Sequence, residues 1–249
     1  MPDMDLGDVT IHYEEAGEGS LAYVFCHGLD RDNNEFGGEF TDQLDFWKDR
    51  FGRAVTWDHR GLGRSSRAVG YSLPLYASDL ARLLDGLGVA RVVVHGVSWG
   101  GVVALQFALD NPDRCAAIII DSSSGQVNEA AAETWYQQSE ADRQGSPEGR
   151  NFRPEQRESF AASARVVADL WKHPLTPRLH EITCPALVVA GGQDTVTRGP
   201  GGSVLMSRSL PNNRLEIFQD AGHGIYREKA DEFRALVVEF CGEHGIIKG

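Results

Sequence analysis

The chain is poor in positive charge. It carries 24 Lys and Arg against 36 Asp and Glu, a formal net charge of −12 at pH 7. Nucleic-acid binders ordinarily present a basic patch, so that class is disfavoured, as is docking on an anionic membrane. Long apolar runs are also missing, and no stretch approaches the length needed to span a bilayer. The first residues, Met1-Pro2-Asp3-Met4-Asp5, are acidic and lack the basic and apolar regions of a signal peptide. Cysteine is scarce: Cys26, Cys115, Cys184 and Cys241 form no C-x-x-C pair, which argues against a zinc site or a redox dithiol. Cys26 lies in an apolar run and reads as a buried free thiol. These absences lead us to expect a cytoplasmic protein with reduced thiols, no metal, and neither nucleic acid nor membrane as partner. Nothing in the sequence sets the oligomeric state.

What is present fits one large α/β domain of 249 residues, 41% hydrophobic and 24% charged. Short apolar runs suit strands at Val9–Glu15, Ala22–Cys26, Arg53–Trp57, Val92–His95, Ala116–Ile120, Ala186–Ala190 and Leu215–Phe218. Helical patterns fall between them. Leu80, Leu83, Leu84 and Leu87 share one helix face, a helix starts at Ser98 and runs to about Asp110, and another runs from about Lys229 to Cys241. The alternation implies a doubly wound parallel sheet. One region breaks it: between Ser124 and Thr183 the pattern is helical, over Gln126–Gln144 and Pro154–Trp171, with a polar stretch at Gly145–Arg150. This reads as an insertion over one end of the sheet. Its aromatics, Trp135, Tyr136, Phe152, Phe160 and Trp171, are expected mostly to fasten it down, with one or two facing a pocket.

The chemistry concentrates at Gly96-Val97-Ser98-Trp99-Gly100, which fits G-x-S-x-G after the run Val92-Val93-Val94 and before Val102-Val103-Ala104-Leu105. A serine between strand and helix takes a strained backbone that demands small neighbours, and its hydroxyl then stands at the carboxyl end of the sheet. A serine hydroxyl is a weak nucleophile at neutral pH and needs a base, which needs an orienting acid. His223, in Asp220-Ala221-Gly222-His223-Gly224 after the last strand, is the expected base. His95 is expected to be packed, His12, His173, His180 and His244 to be at the surface, and His59 is a weaker candidate base. Asp194, in Gly191-Gly192-Gln193-Asp194, is the expected acid, with Asp121 as its competitor. The order Ser, Asp, His is that of the α/β-hydrolase triad. An oxyanion needs fixed donors. The Trp99 N–H should be one and the Leu29 N–H the other, in the loop His27-Gly28-Leu29, where Gly28 permits close approach and His27 holds the loop by a hydrogen bond.

Along nearly its whole length the chain resembles the α/β-hydrolase superfamily. The likeness is carried by His27-Gly28, Asp58-His59-Arg60-Gly61-Leu62-Gly63-Arg64-Ser65, Gly96 to Gly101, Gly191 to Asp194 and Ala221-Gly222-His223, in that order. The resemblance implies a mostly parallel eight-stranded sheet with helices on both faces. It also implies a core of residues 1–123 and 184–249 and a small helical cap over 124–183, between strands six and seven. Asp58 and Arg60 are then scaffold. Dehalogenases and epoxide hydrolases of this fold use an aspartate where Ser98 stands, so both are disfavoured. Gly96 to Cys115 is locally similar to intracellular polyhydroxyalkanoate depolymerases. Ser98-Trp99-Gly100 also resembles proline iminopeptidases, but those usually carry His-Gly-Gly-Pro where this chain has His27-Gly28-Leu29-Asp30. The polar loop Asp30–Glu35 either meets a polar substrate or is merely solvated.

The expectation is a serine hydrolase of a carboxylic ester or lactone, acting on a small molecule with an acyl group and needing no cofactor. Ser98, Asp194 and His223 are catalytic in this reading, Leu29 and Trp99 form the oxyanion hole, and His27, Gly28, Trp135 and Tyr136 are candidate binding residues. The alternatives are a carbon–carbon bond hydrolase, a cofactor-independent oxygenase or perhydrolase on the same residues, and a ligand-binding receptor of the same fold.

Overall fold

In the computed structural model, which describes residues 2–29, 38–146 and 154–248, the central β-sheet grows out of the apolar runs. In chain order the elements are β1 (Asp3–Asp5), β2 (Thr10–Gly17), β3 (Leu21–Cys26), α1 (Gly38–Thr41), α2 (Leu44–Phe51), β4 (Arg53–Trp57), α3 (Leu73–Gly86), β5 (Arg91–Val97), α4 (Trp99–Asp110) and β6 (Cys115–Asp121). Then follow α5 (Glu129–Gln144), α6 (Arg157–Asp169), β7 (Ala186–Gly191), α7 (Gly201–Ser207), β8 (Asn213–Phe218), α8 (Ile225–Glu228) and α9 (Ala230–Glu243). The eight strands lie in the order β1-β2-β4-β3-β5-β6-β7-β8. β1 and β2 pair antiparallel, as do β2 and β4, and every later pair is parallel.

The central strands read as continuous apolar runs because both faces are covered. Val92 and Val94 of β5 point to one face, with Leu80, Leu83 and Leu84 of α3 and Val102, Val103 and Leu105 of α4. Val93 and Val97 point to the other, with Trp47 and Phe51 of α2 and Phe233, Val237 and Phe240 of α9. Full burial of each such side chain is worth roughly 1.5–3 kcal/mol. The same alternation continues through Ala117 to Ile120 and Ala186 to Val189, so one residue of slip would move every side chain to the wrong layer.

The chain leaves β3 toward β4 and leaves β5 toward β6, on opposite sides. The sheet order therefore reverses between β3 and β5, the place where open α/β sheets bind ligands beyond the strands' carboxyl ends. Cys26 pairs with Gly96 there, so the segments entering His27 and Ser98 leave the sheet side by side.

Between β6 and β7 no strand forms among the described residues. Asn128 caps α5 by accepting the Ala131 N–H at 2.9 Å, so that helix starts later than its apolar pattern suggested. α5 and α6 are joined by Ser139 Oγ to the Ala161 carbonyl at 2.9 Å and by the Arg165–Glu140 ion pair. α6 rests on the segment after β4, through Tyr71 hydroxyl to Ser159 Oγ at 2.8 Å, and on α3, through Tyr76 hydroxyl to Ser163 Oγ at 2.6 Å. Phe160 is fully buried against Leu62 and Leu29. The loop Asp30–Glu35, and Pro147 to Arg150 and Phe152 of the insertion, lie outside the described residues.

Several expectations need correction. His12 is not a surface residue: it is 5% exposed in β2, flanked by buried Ile11 and Tyr13, and its Nδ1 meets Asp3 Oδ1 at 2.7 Å. The strand β1, too short to show a pattern, covers that edge. Among the described aromatics of the insertion Phe160 is fully buried and Trp171 is 45% exposed. The expected last helix is α9, preceded by the separate single turn α8, while α2, whose Leu44, Trp47 and Phe51 face the core, was not anticipated.

Candidate active site

Ser98 has φ +54° and ψ −117°, a left-handed backbone that a residue with a side chain rarely adopts. The strain is held from several directions. The Ser98 N–H donates to the Asp121 carbonyl at 2.8 Å, and the Ser98 carbonyl accepts from Ser123 Oγ at 2.6 Å and from the Gly101 N–H at 3.0 Å. The turn is also packed tightly. A Cβ on Gly96 would stand 2.2 Å from the Gly100 carbonyl oxygen, and one on Gly100 would stand 1.9 Å from that of Cys26. The glycines of G-x-S-x-G are thus required by backbone meeting backbone, and the β3 loop is pressed against the serine turn as a result.

That contact sets the oxyanion loop. Gly28 lies so close that a Cβ there would be 3.3 Å from Ser98 Cβ. His27 is buried and its Nε2 accepts the His59 N–H at 3.0 Å, so the ring proton must sit on Nδ1, which donates to the Gly28 carbonyl at 2.6 Å. His59 in turn reaches the His27 carbonyl with Nε2 at 3.2 Å, and burial holds its pKa well below the usual histidine value. The two imidazoles are therefore a neutral clip on the loop, and His59 is no candidate base. Among the described residues neither the Leu29 nor the Trp99 N–H donates to a protein acceptor. Trp99 opens α4, where the first N–H groups have no partner within the helix.

The base and acid come from the far side. His223 Nδ1 meets Asp194 Oδ2 at 2.8 Å, with the carboxylate side chain 1% exposed and the imidazole 25%. Asp194 Oδ1 accepts the N–H groups of Val196 and Thr197 at 2.8 and 3.0 Å, and Oδ2 also accepts Thr197 Oγ1 at 2.6 Å. Burial alone would raise the pKa of Asp194, but the bonds from His223 and Thr197 outweigh it and bring the group down to about 2. An ionised Asp194 accepts only, so His223 carries its proton on Nδ1 and leaves Nε2 free as a base. Thr197 was not anticipated; the signal was Asp194-Thr195-Val196-Thr197, a short polar residue able to close a turn onto the aspartate.

Of the expected site residues, the structure joins Asp194 to His223 directly. It places no hydrogen bond between His223 and Ser98. Among the described residues the Ser98 hydroxyl and His223 Nε2 are each unengaged by another group. Asp121 does not touch the imidazole: its carboxylate accepts Ser122 Oγ at 2.8 Å and the Tyr226 N–H at 3.3 Å. Tyr136 bonds Asp169 at 2.7 Å and so ties α5 to α6, and Trp135 packs against the core. His95 is fully buried among Tyr23, Phe25, Tyr226 and Phe233, and burial pulls its pKa down to about 3. Burial pushes the Cys26 thiol up to about 12, so it is inert. Asp58 and Arg60 are engaged structurally, Asp58 with the Arg64 N–H at 2.8 Å and Arg60 with both oxygens of Asp79 at 2.6 and 2.7 Å. Among the described residues no three metal-donor side chains converge, and no helix is long and apolar enough to cross a membrane.

A model of the alpha/beta hydrolase family matches residues 23–236. The chain belongs to that family. It is 29% identical to a 2-hydroxy-6-oxo-6-phenylhexa-2,4-dienoate hydrolase of Comamonas testosteroni, over 96% of this chain and 93% of that protein. It is 24% identical to the 3-oxoadipate enol-lactonase 2 of Acinetobacter baylyi, over 92% of each. Among solved structures, an N-acyl homoserine lactone degrading enzyme superposes with a TM-score of 0.72 at 29% identity, over 96% of this chain and all of that one (100%). By name these relatives divide between a dienoate hydrolase and proteins that act on lactones.

Proposed function

We propose that the protein is a serine hydrolase that cleaves a carboxylic ester or lactone through an acyl-enzyme on Ser98. The observation that carries this reading is the Asp194–His223 pair at 2.8 Å, built at the same edge of the sheet as the left-handed Ser98 turn. His223 Nε2 takes the hydroxyl proton as Ser98 Oγ bonds to the substrate carbonyl carbon. The Leu29 and Trp99 N–H groups receive the resulting oxyanion. The carbon–oxygen bond to the leaving group breaks as His223 returns the proton to it. Water, deprotonated by His223, then releases the acid and restores Ser98. The helices between β6 and β7 act as the cap, with Trp135 and Phe160 contributing apolar surface around Leu29.

A second reading, hydrolysis of a carbon–carbon bond beside a ketone, is favoured by the similarity to the Comamonas hydrolase along nearly the whole chain. The two readings separate by substrate. A panel of p-nitrophenyl esters, lactones and a 2-hydroxy-6-oxodienoate, run beside intact-mass detection of a fluorophosphonate adduct, tests both. Ester or lactone turnover with one adduct on Ser98, absent from Ser98→Ala and His223→Ala, supports the first. Preferred turnover of the dienoate replaces it with the second. No adduct on native protein, with turnover of none of these substrates, overturns both.

A further inference from the structure

The loop that carries His223 is held by carboxylates that neither reading uses. Glu228 ends the single turn of α8 and its side chain folds back along the loop. One oxygen accepts the Gly222 N–H at 2.7 Å and the other accepts the Gly224 N–H at 3.2 Å. These are the residues on either side of His223, so one carboxylate bridges the base. Gly222 also lies flat against it: a Cβ there would stand 3.0 Å from Glu228 Oε1. The geometry enlarges on a capping box, in which an acid in the first helical turn reaches back to the N–H of the cap residue. Here Gly224 is the cap residue of α8 and Glu228 reaches past it. The Glu228 N–H meanwhile donates to the Gly224 carbonyl at 2.9 Å, so the ring of contacts closes. Outside it, Lys229 Nζ meets Asp220 Oδ2 at 2.5 Å and pins the ends of the segment.

We infer that Glu228 is a positioning residue for the base: its carboxylate clasps the two amides that flank His223 and so fixes where Nε2 stands relative to Ser98. This rests on the reading of His223 as general base. A loop carrying a base between two glycines has freedom to swing. The two bonds remove that freedom at the very residues that would hinge. Neither glycine has a side chain to do so itself. The effect is on placement of the imidazole, not on substrate binding, so it falls on kcat and not on KM.

The series Glu228→Gln and Glu228→Ala tests this, with Glu232→Gln on the exposed side of α9 as a charge-loss control. Gln keeps one acceptor oxygen and Ala keeps none. The expected result is a graded fall in kcat and in the rate of fluorophosphonate labelling. It should reach about tenfold for Gln and approach about a hundredfold for Ala, the scale of a misplaced catalytic group. KM should stay within about twofold, and Glu232→Gln should match the native protein. A purely electrostatic contribution would make Gln and Ala equal, and that outcome would overturn the clasp. The low-field proton resonance of the His223–Asp194 hydrogen bond supplies a readout independent of turnover. It should broaden or disappear in Glu228→Ala while the melting temperature stays near the native value. An unchanged resonance, with unchanged labelling, would sink the inference. If native protein is never labelled on Ser98 but the resonance still responds to Glu228→Ala, the clasp stands and the hydrolase reading falls instead.

Discussion

The two halves of the candidate site are built from different materials. On the β3–β5 side, position is set by close packing around the main chain: the Gly100 turn on the Cys26 carbonyl, Gly28 on Ser98 Cβ, and two neutral imidazoles, His27 and His59, clipping the loop. On the β7–β8 side, position is set by carboxylates collecting donors. Asp194 gathers Val196, Thr197 and His223, and Glu228 gathers Gly222 and Gly224. The first kind of half tolerates no added atom. The second is as tight at Gly191, where a Cβ would stand 1.9 Å from the Gly222 carbonyl oxygen, but it depends in addition on charge and acceptor oxygens.

The largest effects come from removing the reacting groups themselves. Ser98→Ala should lower kcat by about a millionfold, and Asp194→Asn by about 10⁴-fold, since the amide can present the wrong face to His223 Nδ1. Single-turnover kinetics on the best ester of the panel would measure both. Retention of a tenth of native turnover by Ser98→Ala would end the acyl-enzyme reading. Next in size is Gly100→Ala. The methyl group must displace a backbone carbonyl 1.9 Å away, so we expect a loss of at least about 3 kcal/mol in urea unfolding. If it unfolds like the native chain, the backbone half is looser than the geometry states.

The same contrast explains what could be read from the sequence. The serine turn announces itself because steric demand is local: a hydroxyl at Ser98 with glycines at Gly96 and Gly100 between two apolar runs leaves little else to be. The strands β3, β5, β6 and β7 were legible because burial on both faces forces a continuous apolar run. Asp194 and His223 were legible only as carboxyl-end loop residues in the right order. Thr197 and Glu228 were not, because their bonds, although local in sequence, depend on how each turn folds; the hold of His27 on its loop was expected, but its partner His59 arrives only once distant loops meet. His12 misled for the same reason: its cover comes from a three-residue strand, Asp3–Asp5, that carries no pattern.

A subtler change on the carboxylate side is Thr197→Val, which keeps volume and removes one donor to Asp194 Oδ2. A hydrogen bond to a charged group contributes roughly 1.5–3 kcal/mol, and part of that is lost here. The sign with pH follows from the depressed Asp194. Its folded pKa, about 2, lies below the usual value for an unfolded aspartate, about 3.9. Its stabilisation is present above the unfolded value and is lost as pH falls through the folded one. Thr197→Val raises the folded pKa, so acid unfolding should begin at higher pH than in the native protein. Circular dichroism between pH 5 and pH 2 reads this directly; coincident curves would show that Thr197 does not support the carboxylate.

The smallest effect on rate is expected at the residue that joins the halves. The Asp121 main-chain carbonyl accepts the Ser98 N–H at 2.8 Å, and its carboxylate accepts the Tyr226 N–H just beyond His223 at 3.3 Å. Burial pushes this carboxyl up to about 7, against the opposing pull of Ser122, Tyr226 and His223. The linkage therefore runs opposite to that of Asp194. Below the unfolded pKa the group is protonated in both states and costs nothing. As pH rises toward the folded value, the unfolded chain ionises first, and stability falls until the native group ionises too. Asp121→Asn is neutral throughout. Its oxygen still accepts the Tyr226 N–H, and its amide donates to Ser122 Oγ, whose own proton is free to turn away. The variant should thus gain stability over the native protein between pH 4 and pH 7 and hold that gain above it. The gain should exceed about 1.4 kcal/mol, the value of a single pKa unit, with turnover near pH 7 changed by less than about threefold. Urea titrations of both proteins at pH 4.5, 6 and 8 give the comparison. A gain that does not grow with pH would mean that Asp121 is ionised at the seam, and that the two halves share a charge there and not merely a main chain.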